Sequence, residues 1–219
     1  MRERFDRRVI SDGALALLRE CQRRVDVHLG GGAALSGAWL SHRLSRDVDL
    51  IGHDSEAVRA FVREAPEIAR ACGVTLEIVR DAGTFVRASA VVDGAALEVD
   101  VMLESHGDLA PVETLDGVRV ESLADLRASK LTCLLSRSEP RDLVDLLYLD
   151  RAGFPPENDL ALALRKDAGI DPGVIAWLLG QFPTAPLPRM LVPLTEGELR
   201  EFRDAPRDRV RAVAVPDEG

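Results

Sequence analysis

Asp47 and Asp49 stand two residues apart in Asp47-Val48-Asp49-Leu50-Ile51, a run that alternates like a β-strand. Side chains at i and i+2 of a strand point to the same face, so the two carboxylates share one space while Val48 and Leu50 take the other. Like charges that close call for a cation between them. A donor set made only of oxygen suits Mg2+, with Mn2+ as the alternative. A third acid, Asp100, lies in Leu97-Glu98-Val99-Asp100-Val101, where acids again occupy one face and apolar residues the other. Ahead of the aspartate pair comes Gly30-Gly31-Gly32, leading into a small-residue stretch, 33–40, that can be helical. Bare backbone N–H groups at a helix start attract phosphate. A lone Asp-x-Asp is more often an exposed strand face, and a lone glycine run more often a steric turn. The succession of strand, glycine turn, short helix and acid-bearing strand, with a third acid in a further strand, favours a corner that grips a metal and a phosphate together.

These residues need elements to hold them. Ser11 and the apolar residues Ala14, Leu15, Leu17 and Leu18 predict an amphipathic helix to about Arg24, and Val25–Leu29 a short strand before the glycines. Residues 55–72 predict a helix that breaks or restarts near Pro66 and ends at Gly73. Runs 74–79, 85–92 and 96–103 predict strands, the last two joined as a hairpin by Asp93-Gly94. After a short strand at 118–120 the pattern turns helical. Ser122 with Asp125 resembles a capping box for a helix carrying Leu123, Leu126, Leu131, Leu134 and Leu135. Pro140 opens a second helix to Leu149, and 158–166 and 173–179 predict two more. The proline-rich segment 183–193 predicts an irregular crossing, and Thr195 with Glu198 caps a final helix that Pro206 ends or kinks near Ala205. The plan is α+β: a mixed α/β domain over 1–120, then an all-helical domain over 121–219.

Composition bounds the reading. The chain has 219 residues, 46% hydrophobic and 30% charged, enough for one large or two small cores and too ordinary for disorder. No run approaches the roughly 20 apolar residues of a membrane helix, and the charged N-terminus lacks the apolar stretch of a secretory signal, so a cytoplasmic protein with no membrane partner is expected. The net charge of −9 opposes non-specific binding to a polyanion and confines any RNA contact to a local patch, such as residues 1–24 with seven arginines against four acids. Cys21, Cys72 and Cys133 are odd in number and far apart, which points to buried thiols. His28, His53 and His106 show no ligand spacing, and His42 reads as a local cap or packing residue. Arg80 and Arg87, on predicted strands, read as solvated in an arginine-rich chain. Only Lys130 and Lys166 are lysines. Lys130 lies four residues from both Leu126 and Leu134 and interrupts an apolar stripe; it either snorkels to solvent or serves a site that needs an ammonium.

The order of these motifs resembles the polymerase-β-type nucleotidyltransferase superfamily. More specifically, Gly31-Gly32-Ala33-Ala34-Leu35, then His42-Arg43-Leu44-Ser45-Arg46-Asp47-Val48-Asp49-Leu50, resembles the signature of the AbiEii/AbiGii toxin family of nucleotidyltransferases. The segment with Leu126, Ala128, Lys130-Leu131, Arg137, Arg141-Asp142-Leu143, Asp145-Leu146 and Leu149 is similar to that family's second block. One departure is Ala33, where the family often carries a hydroxyl. The resemblance implies a nucleotidyltransferase core with a mixed sheet flanked by helices, completed by the helical domain. It implies an NTP on Gly31 and Gly32, metals on Asp47 and Asp49, Lys130 on the nucleotide, and Ser45 and Asp142 in the site. Arg43 either meets phosphate or pairs with an acid, and Asp100 activates the acceptor or completes the metal site. Asp142 at a helix start also serves the helix dipole, and Asp145 reads as an i, i+4 partner of Arg141. The implied reaction adds NMP from an NTP to the 3′ end of tRNA, as the toxin of a toxin–antitoxin pair held in check by an antitoxin. A protein or small-molecule acceptor, or a catalytically silent module that only binds nucleotide or a partner, are the alternatives.

Overall fold

The computed structural model describes residues 3–214, so Met1 and Arg2 of the basic N-terminal stretch lie outside the described residues. The chain divides into two compact units, Met1–Ser122 and Leu123–Gly219. The first is built on a seven-stranded mixed sheet of order β3-β4-β5-β2-β1-β7-β6, with β1 His28–Gly30, β2 Asp47–Gly52, β3 Thr75–Asp81, β4 Phe85–Val92, β5 Ala95–Leu103, β6 Glu113–Leu115 and β7 Val118–Val120. β2 runs antiparallel to β1 and parallel to β5, and β5 runs antiparallel to β4. The β4–β5 hairpin turns at Asp93-Gly94 as its sequence predicts. β6 was not expected; three residues long, it offers too short an alternation to read.

Helix α1, Asp12–Arg24, is capped by the Ser11 hydroxyl and buries Ala14, Leu15, Leu17, Leu18 and Cys21. It packs on α3, Ser55–Cys72, and on β7, while α3 lies on β3 and β5. α3 does not break at Pro66. The proline removes one N–H donor, but the apolar face Val58, Phe61, Ala65 and Ile68 is buried on both sides of it and keeps the helix continuous. Helix α2, Gly31–Ala34, continues as a π-helical turn over Leu35–Leu40, ending at Ser41 in the left-handed region.

The second unit is helical, with α4 Leu123–Ser136, α5 Pro140–Arg151, a 3-10 turn Pro156–Asp159, α6 Leu160–Lys166, α7 Pro172–Gln181 and α8 Glu196–Ala214. α4 touches α5, α6 and α7, and α8 touches α5 and α7. The predicted Thr195–Glu198 box forms: Thr195 N donates to Glu198 Oε2 at 2.8 Å and Glu198 N to Thr195 Oγ1 at 3.2 Å. Pro206 does not end α8. It sits in the buried stripe Leu199, Phe202, Pro206, Val210, so packing holds the helix through it. Segment 183–193 has no helix, as expected. Among the described residues, no helix is long and apolar enough to cross a membrane.

Candidate active site

In the first unit the glycine turn and the aspartate pair meet. Gly30 pairs with Asp49 across β1 and β2, which sets the turn beside the acid-bearing strand. Gly31 has φ +64°, and a Cβ there would fall 1.8 Å from Asp49 Oδ2, so the carboxylate lies against the bare backbone of the turn. A Cβ on Gly32 would fall 2.5 Å from Arg43 Nη2 and 3.3 Å from Ser45 Oγ. Ser45 Oγ donates to Asp47 Oδ1 at 2.9 Å. Arg43 is buried: its N–H donates to Ser36 Oγ at 3.3 Å, its carbonyl accepts from the same hydroxyl at 2.5 Å, and its Nη1 donates to Leu44 O at 3.0 Å. Gly31, Gly32, Arg43, Ser45, Asp47 and Asp49 therefore form one corner. His42 beside it is fully buried, in keeping with a packing role.

Asp100 extends the row. In the parallel β2–β5 pair Asp49 faces Asp100 and Asp47 faces Glu98, so four acids share one face of adjacent strands roughly 4.8 Å apart. The next strand supplies the counter-charge. Arg87, opposite Asp100 on β4, donates Nε to Asp100 Oδ1 at 2.8 Å and Nη2 to Oδ2 at 2.6 Å, and its Nη1 lies 3.5 Å from Glu98. The bonded Asp100 carboxylate raises the Arg87 pKa against desolvation. Arg87 is thus a fixed partner of the acidic row, not merely a solvated strand residue, and it shares the Phe85 ring with Arg80. Each Asp100 oxygen keeps one lone-pair site after these bonds. The corner fits a hard divalent cation: its donors are carboxylate oxygens on one face, beside a backbone cradle that a Cβ would fill.

The second unit holds the other predicted group. Lys130 does not snorkel; it is 2% exposed, with Nζ 2.7 Å from Asp145 Oδ2 and 3.5 Å from Asp142 Oδ1. Asp142 accepts from Arg137 Nε at 2.8 Å and Nη2 at 2.9 Å. Asp145, read from sequence as an i, i+4 partner of Arg141, is fully buried against Lys130, and Arg141 Nε lies 2.7 Å from Glu139. Lys130 and Arg137 thus each lie against a carboxylate of this cluster. The scarcity of lysine singles out Lys166 equally: its Nζ lies 3.2 Å from the fully buried Asp125 and donates to Ser129 Oγ at 2.9 Å. Asp125, expected as half of a capping box, is a buried counter-ion.

The basic stretch near the N-terminus is largely consumed by local pairs. Arg7 lies 2.8 Å from Asp12 and 3.1 Å from Asp116, Arg8 2.6 Å from Asp6, and Arg23 and Arg24 both bind Glu20. The histidines set aside by spacing also need correction, because His28 and His53 come together with Asp108 in the first unit. At His53 desolvation lowers the pKa, but the Glu104 carbonyl and the Asp108 carboxylate outweigh it and the net shift is upward.

Fold and corner have the arrangement expected of a nucleotidyltransferase. Residues 16–216 match the nucleotidyl transferase AbiEii toxin of type IV toxin–antitoxin systems, and the chain belongs to that family. Its counterparts are accordingly a nucleotide substrate and an antitoxin. Among solved structures it is similar to JHP933 from Helicobacter pylori, with 18% identity, 94% of this chain and 91% of that chain covered, and a TM-score of 0.62. A candidate nucleotidyltransferase from H. pylori matches at 19% identity over 91% of this chain and 92% of that chain, with a TM-score of 0.60. The nucleotidyltransferase toxin MenT4 from Mycobacterium tuberculosis matches at 17% identity over 95% and 89%, with a TM-score of 0.49. No curated protein matches the chain.

Proposed function

We propose that the chain transfers a nucleoside monophosphate from an NTP to the 3′-hydroxyl of tRNA in the cytoplasm, and that an antitoxin restrains it. The acceptor oxygen forms a bond to the α-phosphorus, the bond from that phosphorus to the bridging oxygen breaks, and pyrophosphate leaves. The observation that carries this reading is the contact of the Asp49 carboxylate with the side-chain-free Gly31 backbone, which puts carboxylate donors and phosphate-binding amides in one corner. Asp47 and Asp49 hold Mg2+, and Ser45 orients Asp47 through its 2.9 Å hydrogen bond. Magnesium, when bound, neutralises phosphate charge and stabilises the entering and leaving oxygens. Gly31 and Gly32 receive the phosphates, with Arg43 behind them. Asp100, pinned by Arg87, is the third acid of the row and either takes the acceptor proton or completes the metal site. Lys130 supplies positive charge to the nucleotide, and Asp142 and Asp145 keep that ammonium charged and oriented.

The test is incubation of the purified chain with α-labelled NTPs, Mg2+ and total RNA. Label in tRNA, absent with Asp47→Asn, is the expected result. Label that appears only on protein or small molecules rejects the tRNA acceptor. Equal transfer by wild type and Asp47→Asn rejects the site itself, and nucleotide binding without any transfer supports the silent module.

A further inference from the structure

Away from the aspartate corner, three residues distant in sequence converge at the other end of the same two strands. His28 opens β1, His53 follows Gly52 at the end of β2, and Asp108 lies in the connection from β5 to β6. The antiparallel pairing of β1 with β2, His28 against Ile51, brings the histidines together, and their rings stand 5.4 Å apart, tilted 40°. Glu104 N donates to Gly52 O at 2.9 Å and draws the start of the β5–β6 connection to the same place. One ligand atom from each of His28, His53 and Asp108 lies within 4.8 Å of the other two.

We infer that His28, His53 and Asp108 form a site for a divalent transition metal, with Zn2+ the ion that best suits two imidazoles and one carboxylate. The chemistry of His53 carries the argument. Its Nδ1 is 3.2 Å from Glu104 O, a group that only accepts, which leaves Nε2 aimed at a second acceptor, Asp108 Oδ1, at 3.1 Å. Two acceptors in that geometry call for a positive charge at Nε2, and a metal ion held by Nε2, Asp108 and His28 supplies it. The Nδ1 bond to a backbone carbonyl is the usual outer support of a metal-bound histidine, fixing both tautomer and ring orientation. His28 Nε2 faces the same Asp108 oxygen at 3.6 Å. A tetrahedral ion with bonds of about 2.0–2.1 Å holds its ligand atoms about 3.3–3.4 Å apart, and 3.1 and 3.6 Å bracket that spacing. His28 is buried and anchors the site, while His53 and Asp108 are exposed, so an ion can reach them from solvent. The donor set separates this site from the aspartate corner, whose oxygen-only donors favour Mg2+. A bound ion would tie the β5–β6 connection to β1 and β2, the two strands that carry the glycine turn and the aspartate pair.

The test uses the full chain, stripped with chelator, and titrates Co2+ as a visible-absorbance probe, then Zn2+ as competitor, with melting temperature recorded in parallel. Wild type and Asp47→Asn, both in excess Mg2+, should bind Co2+ with the same affinity at a site from which Zn2+ displaces it, with a rise in melting temperature. His53→Ala and Asp108→Asn, both outside the core, should weaken binding at least tenfold and lose that rise. Unchanged affinity in both variants overturns the inference, as does loss of binding in Asp47→Asn, which would place the ion at the aspartates. If wild type takes up no Co2+ or Zn2+ at millimolar metal, the trio is a protonated histidine–carboxylate pair and the inference fails. None of these outcomes depends on the transfer reaction.

Discussion

Gly31→Ala tests the contact on which the active-site reading rests. The substitution has two separable costs. Alanine at φ +64° pays about 1–2 kcal/mol for the left-handed region. In a chain of this length that is a fall of roughly 2–8 °C in melting temperature. The second cost is local: the new methyl would sit 1.8 Å from Asp49 Oδ2, while ordinary contact begins at 3.4 Å, so the carboxylate must move by about 1.6 Å. Misplacement of a catalytic group by about 1 Å costs on the order of a hundredfold in rate. Gly73→Ala is the matched control, with nearly the same φ of +65° and nothing within 4 Å of the added Cβ. Thermal melts and Mg2+-dependent label transfer, both normalised to folded protein, should show similar destabilisation in the two variants. Only Gly31→Ala should lose transfer, by about a hundredfold or more. Transfer by Gly31→Ala within about threefold of Gly73→Ala would refute the claim that the glycine turn and Asp49 act as one site.

Lys166→Met, which removes a cation 3.2 Å from the buried Asp125 carboxylate, should cost up to about 3–5 kcal/mol, or on the order of 10 °C in melting temperature, while leaving transfer per folded molecule near wild type. Lys130→Met should destabilise comparably and also abolish transfer per folded molecule; equal transfer in the two variants would make Lys130 purely structural. Glu20 is held at about 2 by hydrogen bonds from Arg23 and Arg24, below its ordinary 4.5. Its contribution is therefore complete above about 4.5 and is lost as pH falls toward 2, so the melting-temperature gap between wild type and Glu20→Gln should be open at pH 7 and closed near pH 2, most clearly at low salt. Burial pushes the Cys21 thiol up to about 12, so at pH 8 a thiol reagent should leave Cys21 unmodified in the native chain and react with it after unfolding; rapid native labelling at Cys21 would contradict the packing of α1.

What was legible in the sequence was local. The Asp47–Asp49 spacing, the glycines before a helix and the Thr195–Glu198 box each depend on neighbours within a few residues, and short-range geometry fixes their outcome. Pro66 and Pro206 misled because a local rule was applied where tertiary packing decides: both lie in helices whose buried stripes continue on either side. The partners of buried charges were not legible. Asp125 looked like a cap because the residue 41 positions later that neutralises it is placed by helix packing, not by spacing. His28, His53 and Asp108 showed no ligand spacing because strand pairing, not local sequence, brings them together. A strand-pairing prediction that set His28 against Ile51 would have been the signal.

The two buried lysines also constrain how the Arg-Asp motif works. Lys166 lies 3.2 Å from Asp125, and Lys130 lies 2.7 Å from Asp145 and 3.5 Å from Asp142. Asp142 spends its shorter bonds on Arg137, at 2.8 and 2.9 Å. At equal dielectric the Coulomb attraction of Lys130 falls with distance, so Asp145 is its stronger holder and Asp142 the junction through which Arg137 enters the cluster. The pairing of Lys130 with Asp145 and of Arg137 with Asp142 limits the cost of holding these charges inside the unit. Asp142, held mainly by Arg137, is the partner Lys130 can release at the smaller cost. On this argument Asp145 is the main anchor of Lys130, and Asp142 links Lys130 to Arg137.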